Sequence, residues 1–226
     1  MKILVVAAHP DDEVLGCGGT IARLACEGKQ VYIAILGEGI TSRYDQRSEI
    51  DQTAIRKLHS YSQQVAEMLG AQDLFAYGLP DNRFDTVPLL DIVKIIEDLV
   101  EKLSPEVIYT QHGGDLNVDH SIIYRATLIA TRPMVGGSVK AVYAYEVASS
   151  TEWSFQGFHP TFRPNVFMDI NSTLELKVQA MQLYESELRC FPHPRSPEIL
   201  RATAHRWGSV AGLEAAEAFE LIRLTC

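Results

Sequence analysis

Short apolar runs, spaced by stretches with helical periodicity, leave this chain few ways to fold. Residues 3–8, 31–36, 74–79 and 107–110 are apolar and rich in branched side chains, as buried strands are. Between them, residues 12–27, 48–69 and 88–103 carry apolar positions at helical spacing, and a further helix is expected over 121–131. Strand alternating with helix at this length implies right-handed crossovers and a mainly parallel sheet with helices on both faces. Further along, 139–145 and 165–170 read as strands, 171–188 as a helix, and 213–221 as a final amphipathic helix packing on the domain or a neighbouring subunit. The 226 residues suit one α/β domain spanning 1–226 rather than two.

Twenty lysines and arginines against 29 acids give a net charge of -9, which argues against a nucleic-acid partner. The four cysteines form no C-x-x-C pair, so reduced thiols are expected. No apolar stretch approaches the roughly 20 residues needed to cross a bilayer, and no signal core stands apart from the first strand. A cytoplasmic protein without membrane insertion is therefore expected, either alone or as a homo-oligomer. Gly16-Cys17-Gly18-Gly19 looks at first like a dinucleotide loop. The third glycine of that pattern would fall at Ile21, so close packing of a helix on the sheet explains the run better.

The first strand stops at His9-Pro10, because proline has no N–H for the ladder, and Asp11, Asp12 and Glu13 crowd the start of the next helix. Acids there can simply cap free N–H groups and meet the helix dipole. Equally, the carboxyl ends of parallel strands are where ligands bind in such sheets, and His9 and Asp12 could face one ion. The fourth strand repeats this grammar: Gln111-His112-Gly113-Gly114-Asp115-Leu116-Asn117-Val118-Asp119-His120 leads into a helix. Both loops leave the same side of a parallel sheet, so His120 can join His9 and Asp12 as a third ligand. Two nitrogens and one oxygen, with a fourth position for water, describe a catalytic zinc site.

Ala8-His9-Pro10-Asp11-Asp12-Glu13 together with Asp119-His120 resembles the PIG-L/LmbE-like family of zinc-dependent N-deacetylases. Arg206-Trp207-Gly208 and Ala216-Glu217-Ala218-Phe219 resemble that family's usual C-terminal segment. The resemblance implies a Rossmann-like three-layer sandwich, one Zn2+ per subunit, and hydrolysis of an N-acetyl group, commonly on a glucosamine-type sugar. It maps His9, Asp12 and His120 onto the zinc ligands, Asp11 onto the general base and Asp119 onto a supporting acid. Metal-bound water would attack the amide, with Asp11 taking its proton and passing it to the leaving nitrogen. Many members read His-x-Asp-His where this chain has Asn117-Val118-Asp119-His120. Asn117 can donate to an oxyanion but carries no charge; the missing imidazole is replaced by His112, by His193, or not at all.

Arg43, Arg132, Glu152 and Trp153 are further candidates for contact with the sugar. Phe191-Pro192-His193-Pro194-Arg195-Ser196-Pro197 reads as a rigid exposed segment able to cover a site. A metal-dependent esterase or phosphoesterase, and a metal-containing sugar-binding protein without turnover, are the alternative functions for these residues.

Overall fold

The computed structural model describes residues 1–41 and 52–226. Its elements run β1 (Lys2–Ala7), α1 (Asp12–Cys26), β2 (Gln30–Gly37), α2 (Gln52–Met68), β3 (Asp73–Leu79), α3 (Leu89–Leu103), β4 (Val107–Gln111), α4 (Val118–Ala130), β5 (Ala141–Tyr145), β6 (Val166–Asp169), α5 (Leu174–Leu183), α6 (Pro197–Ala211) and β7 (Ala216–Leu224). All seven strands form one sheet in the order β3-β2-β1-β4-β5-β7-β6. The first five are parallel, and β7 runs antiparallel to both of its neighbours.

Alternate side chains of β1 feed two cores. Ile3, Val5 and Ala7 pack with α1, α2 and α5 on one face, while Leu4, Val6 and Ala8 pack with α3 and α4 on the other. Burial on both faces is why the run is apolar throughout rather than alternating. The result is an α/β sandwich of three layers, as the alternation of elements requires.

The glycine run of α1 is a packing surface. A Cβ on Gly16 would stand 2.1 Å from the Tyr145 ring, and one on Gly19 would stand 2.8 Å from Ile170. On this face Lys177 Nζ, buried, donates to the Leu15 carbonyl (2.8 Å) and to Glu217 Oε1 (2.6 Å). The other Glu217 bonds run to the backbone N–H groups of Gly19 and Thr20 in α1.

One expectation fails near the C-terminal end. Residues 213–221 do not form a helix, because Ala216–Leu224 is strand β7. Its alanines and glutamates favour helix locally, but the slot between β5 and β6 supplies backbone partners on both edges. Tertiary pairing outweighs such a weak local preference. The helix lies instead at Pro197–Ala211, where Ser196 Oγ accepts from the Ile199 N–H, proline opens the first turn and Gly212 (φ 72°) closes the last.

The strand order reverses direction of growth at β1, with β2 and β3 on one side and β4 and β5 on the other. The loops after β1 and β4 therefore diverge around a crevice at the carboxyl ends of these adjacent strands, where open α/β sheets place their ligands.

Candidate active site

The loop after β1 supplies His9, Asp11 and Asp12, and the loop after β4 supplies Asp115, Asn117, Asp119 and His120. One ligand atom each from His9, Asp12 and His120 lies within 4.8 Å of the others, and all three residues are buried. Asp12 Oδ2 is the hub: it accepts from the His9 N–H (2.8 Å) and from Gln111 Nε2 (3.1 Å), and stands 3.4 Å from His9 Nδ1 and 3.3 Å from His120 Nε2.

Each imidazole has a carboxylate behind it. His9 Nε2 is 2.9 Å from Asp119 Oδ2 and 3.2 Å from Asp81 Oδ1, while His120 Nδ1 is 3.2 Å from Asp115 Oδ2. Such a carboxylate fixes the tautomer and turns the other ring nitrogen toward a metal. Asp119 is itself held by the Phe84 N–H (2.9 Å), and Asp115 by Ser150 Oγ, Thr151 Oγ1 and the Asn117 N–H.

These residues fit a divalent cation. Among the described residues, neither ring nitrogen of His120 has a hydrogen-bond partner although both are buried, which costs free energy unless something occupies the space between them and the acids. Burial opposes charge on His120, but the Asp12 and Asp115 carboxylates overcome it and hold the imidazolium up to about 9. Burial likewise opposes charge on His9, and Asp119 and Asp12 raise it well above the usual imidazole range. Asp12 is held well below the carboxylate range by His120 and His9, against its burial. The acids thus recruit positive charge that a metal ion would supply in place of the two protons.

Asp11 stands beside this cluster in the left-handed region (φ 109°, ψ −28°), and its side chain does not cap α1. The Asp11 carboxylate is therefore not spent as a helix cap. Its N–H donates to Glu13 Oε2 (3.1 Å), and its Oδ2 accepts from Arg195 Nη1 (2.7 Å). Burial raises the Asp11 carboxyl well above the ordinary range, even though Arg195 pulls it down. Glu13 is also buried and pushed up to about 7, with Tyr184 Oη donating to it at 2.6 Å.

Above the cluster lies a cavity of about 610 Å³, walled among others by Asn117, Ser149, Trp153, Glu187, His193 and Arg195. Trp153 and His193 meet edge to face with centroids 5.3 Å apart. Asn117 is the N-cap of α4, its Oδ1 accepting from the Asp119 N–H and its Nδ2 donating to Asn82.

Not every expected contact is brought here. His112 follows Gln111 on β4 and so faces the opposite way; its Nε2 meets the Pro160 carbonyl at 2.8 Å and its ring packs on Phe162. Arg132 lies beyond the far end of the 13-residue α4, about 20 Å along the axis from its start, exposed and 3.8 Å from Glu97. The Glu152 carboxylate closes its own loop by accepting from the Ser149 N–H (2.6 Å), outside the cavity wall. Arg43 falls outside the described residues. Conversely, Asp115 and Arg195 were not singled out as site residues by sequence, and the rigid segment 191–197 contributes Arg195 as well as His193.

A family model described as PIG-L, GlcNAc-PI de-N-acetylase, matches residues 4–131. The chain is 27% identical over 190 residues to a protein of Escherichia coli K12 named uncharacterized deacetylase YaiS, covering 81% of this chain and 90% of that one. It is 24% identical over 238 residues to the diacetylchitobiose deacetylase of Thermococcus kodakarensis, covering 98% of this chain and 83% of that one. Among solved structures, the 4-carboxy-2-hydroxymuconate hydratase of Pseudomonas putida KT2440 superposes with a TM-score of 0.78 at 21% identity, over 100% of this chain and 97% of the other. That last likeness concerns the fold alone, so the chemistry has to be argued from the site.

Proposed function

This chain belongs to the PIG-L family of de-N-acetylases, and from that premise we propose that it is a zinc-dependent hydrolase removing the acetyl group from an N-acetylglucosamine-type sugar. The observation that carries the reading is the convergence of His9, Asp12 and His120 within 4.8 Å, with Asp11 beside them under an open cavity. His9, Asp12 and His120 would hold one zinc ion, a donor set that leaves a coordination place for solvent. Bound there, zinc supplies Lewis acidity to an amide carbonyl and to water.

The rest of the chemistry falls to the chain's own residues. Asp11 takes a proton from the attacking water and returns it to the departing nitrogen, without which an amine is a poor leaving group. Burial keeps its carboxyl raised above the ordinary range, in the direction that suits a group that must accept a proton as well as release one. Asp119 and Asp115 hold His9 and His120 in register. Asn117 has one amide N–H beyond the bond to Asn82 and can donate it to the oxyanion. Trp153 and His193 offer ring faces and edges to the sugar.

The test is acetate release by protein stripped of metal and then reloaded with zinc, across N-acetylglucosamine, diacetylchitobiose and glycoside conjugates of N-acetylglucosamine. Acetate and free amine are expected in equal amounts, lost on chelation and restored by zinc. Phosphate release without acetate, or binding of these sugars with no turnover, would overturn the reading.

A further inference from the structure

Asp11 occupies a backbone conformation that L-residues other than asparagine and aspartate rarely visit (φ 109°). It is tied from both ends. On the backbone side its N–H is taken by Glu13, which is anchored in turn by Tyr184 Oη at 2.6 Å. On the side-chain side, Arg195 Nη1 reaches Oδ2 at 2.7 Å from 184 residues away in the chain.

Arg195 is itself prevented from swinging. Its Nε donates to Ser149 Oγ (2.8 Å), and Nη1 also lies 3.3 Å from Glu187 Oε2. Ser149 belongs to the loop after β5 and Glu187 to the segment after α5, so the guanidinium is fixed by two separate parts of the fold. A carboxylate with one oxygen held by an N–H of a guanidinium so fixed presents the other in a single direction. A base that must meet water and then the leaving nitrogen depends on that direction, because about 1 Å of misplacement costs about 100-fold in rate.

We propose that Arg195 is a positioning residue for Asp11: it pins Oδ2 so that Oδ1 faces the reacting atoms, while the Glu13–Tyr184 pair fixes the backbone beneath. The inference rests on Asp11 being the general base. An anion clamp for the substrate is the competing role for an arginine in a cavity wall, but the groups of Arg195 that are engaged are directed at protein acceptors.

Kinetics of zinc-loaded Asp11→Asn, Arg195→Ala, Arg195→Lys and the double variant Asp11→Asn/Arg195→Ala test it, with zinc content measured alongside. Arg195→Ala is expected to lower kcat about 100-fold, with KM within about twofold of wild type and zinc content unchanged. Arg195→Lys, which keeps the charge without the planar guanidinium that bonds Ser149 and Asp11 together, should recover about tenfold of that loss. The double variant should be no slower than Asp11→Asn alone, because Arg195 has nothing to hold once the base is gone. Wild-type kcat in Arg195→Ala, a rise confined to KM, or a double variant well below Asp11→Asn would each overturn the proposal while leaving the base assignment intact. Full activity of Asp11→Asn would remove the base assignment, and the proposal with it. Should Arg195→Ala fail to fold, Arg195→Gln carries the same comparison with a side chain that can still reach Ser149.

Discussion

Asp115 is not among the residues that wall the cavity, yet it faces the ring nitrogen of His120 that points away from His9 and Asp12. Asp115→Asn removes the charge that orients that ring and should weaken zinc binding by about 10- to 100-fold. Competition of the metal-free protein against a chelating dye measures this, and unchanged affinity would show that Ser150, Thr151 and the loop backbone alone position His120. At this scale the residues that converge were legible from sequence and their supports were not. His9, Asp12 and His120 stand where a strand visibly ends, so residue type and position announce a site together. Asp115 reads as one more loop acid after two glycines, and Arg195 acts on a partner 184 residues distant, which no local pattern records.

Helix α1 is held to the sheet by more than apolar contact, since Lys177 and Glu217 bond to its backbone in mid-helix. Both side chains are buried, 5% and 4% exposed, so either one left alone would be an uncompensated charge in the core. Lys177→Met should therefore destabilise the fold by about 3–5 kcal/mol, and adding Glu217→Gln should restore part of that loss. Urea denaturation of the single and double variants decides it; equal stability of wild type and Lys177→Met would mean that Glu217 needs no cation there. The elements themselves were mostly legible, because strands buried on both faces are written as continuous apolar runs. The helix left unassigned and the strand taken for a helix have physical causes. Ser196-Pro197 and Gly212 are ordinary helix start and stop signals, but the prolines at 192 and 194 made the start read as part of a rigid cover. Whether Ala216–Leu224 is helix or strand depends on a vacant place between β5 and β6, and that place does not exist until the sheet does.

For the molecule as a whole, the clustered acids make stability depend on pH and on metal. His120 is held up to about 9 in the folded chain against an unfolded value of 6.5. Its imidazolium therefore stabilises the metal-free protein fully below about pH 6.5, and that contribution is lost as the pH rises through about 9. The loss is on the order of 3 kcal/mol, and urea denaturation of metal-free protein at pH 6.5 and 9.5 should show it. Zinc bound in place of the proton should flatten the dependence; a metal-free protein equally stable at both pH values would contradict the ion-pair network around His120. The order of the sheet also governs how the molecule is made. Strands β1 to β5 can pair as they emerge during synthesis, since each parallel neighbour has already been translated or soon follows. Strand β6 has no hydrogen-bonded neighbour until residues 216–224 arrive to lie between it and β5. Until β7 is translated, a nascent chain therefore leaves the outer edge of β5 and both edges of β6 unpaired, and it is in that interval, rather than in the finished fold, that it is most exposed to pairing with another chain.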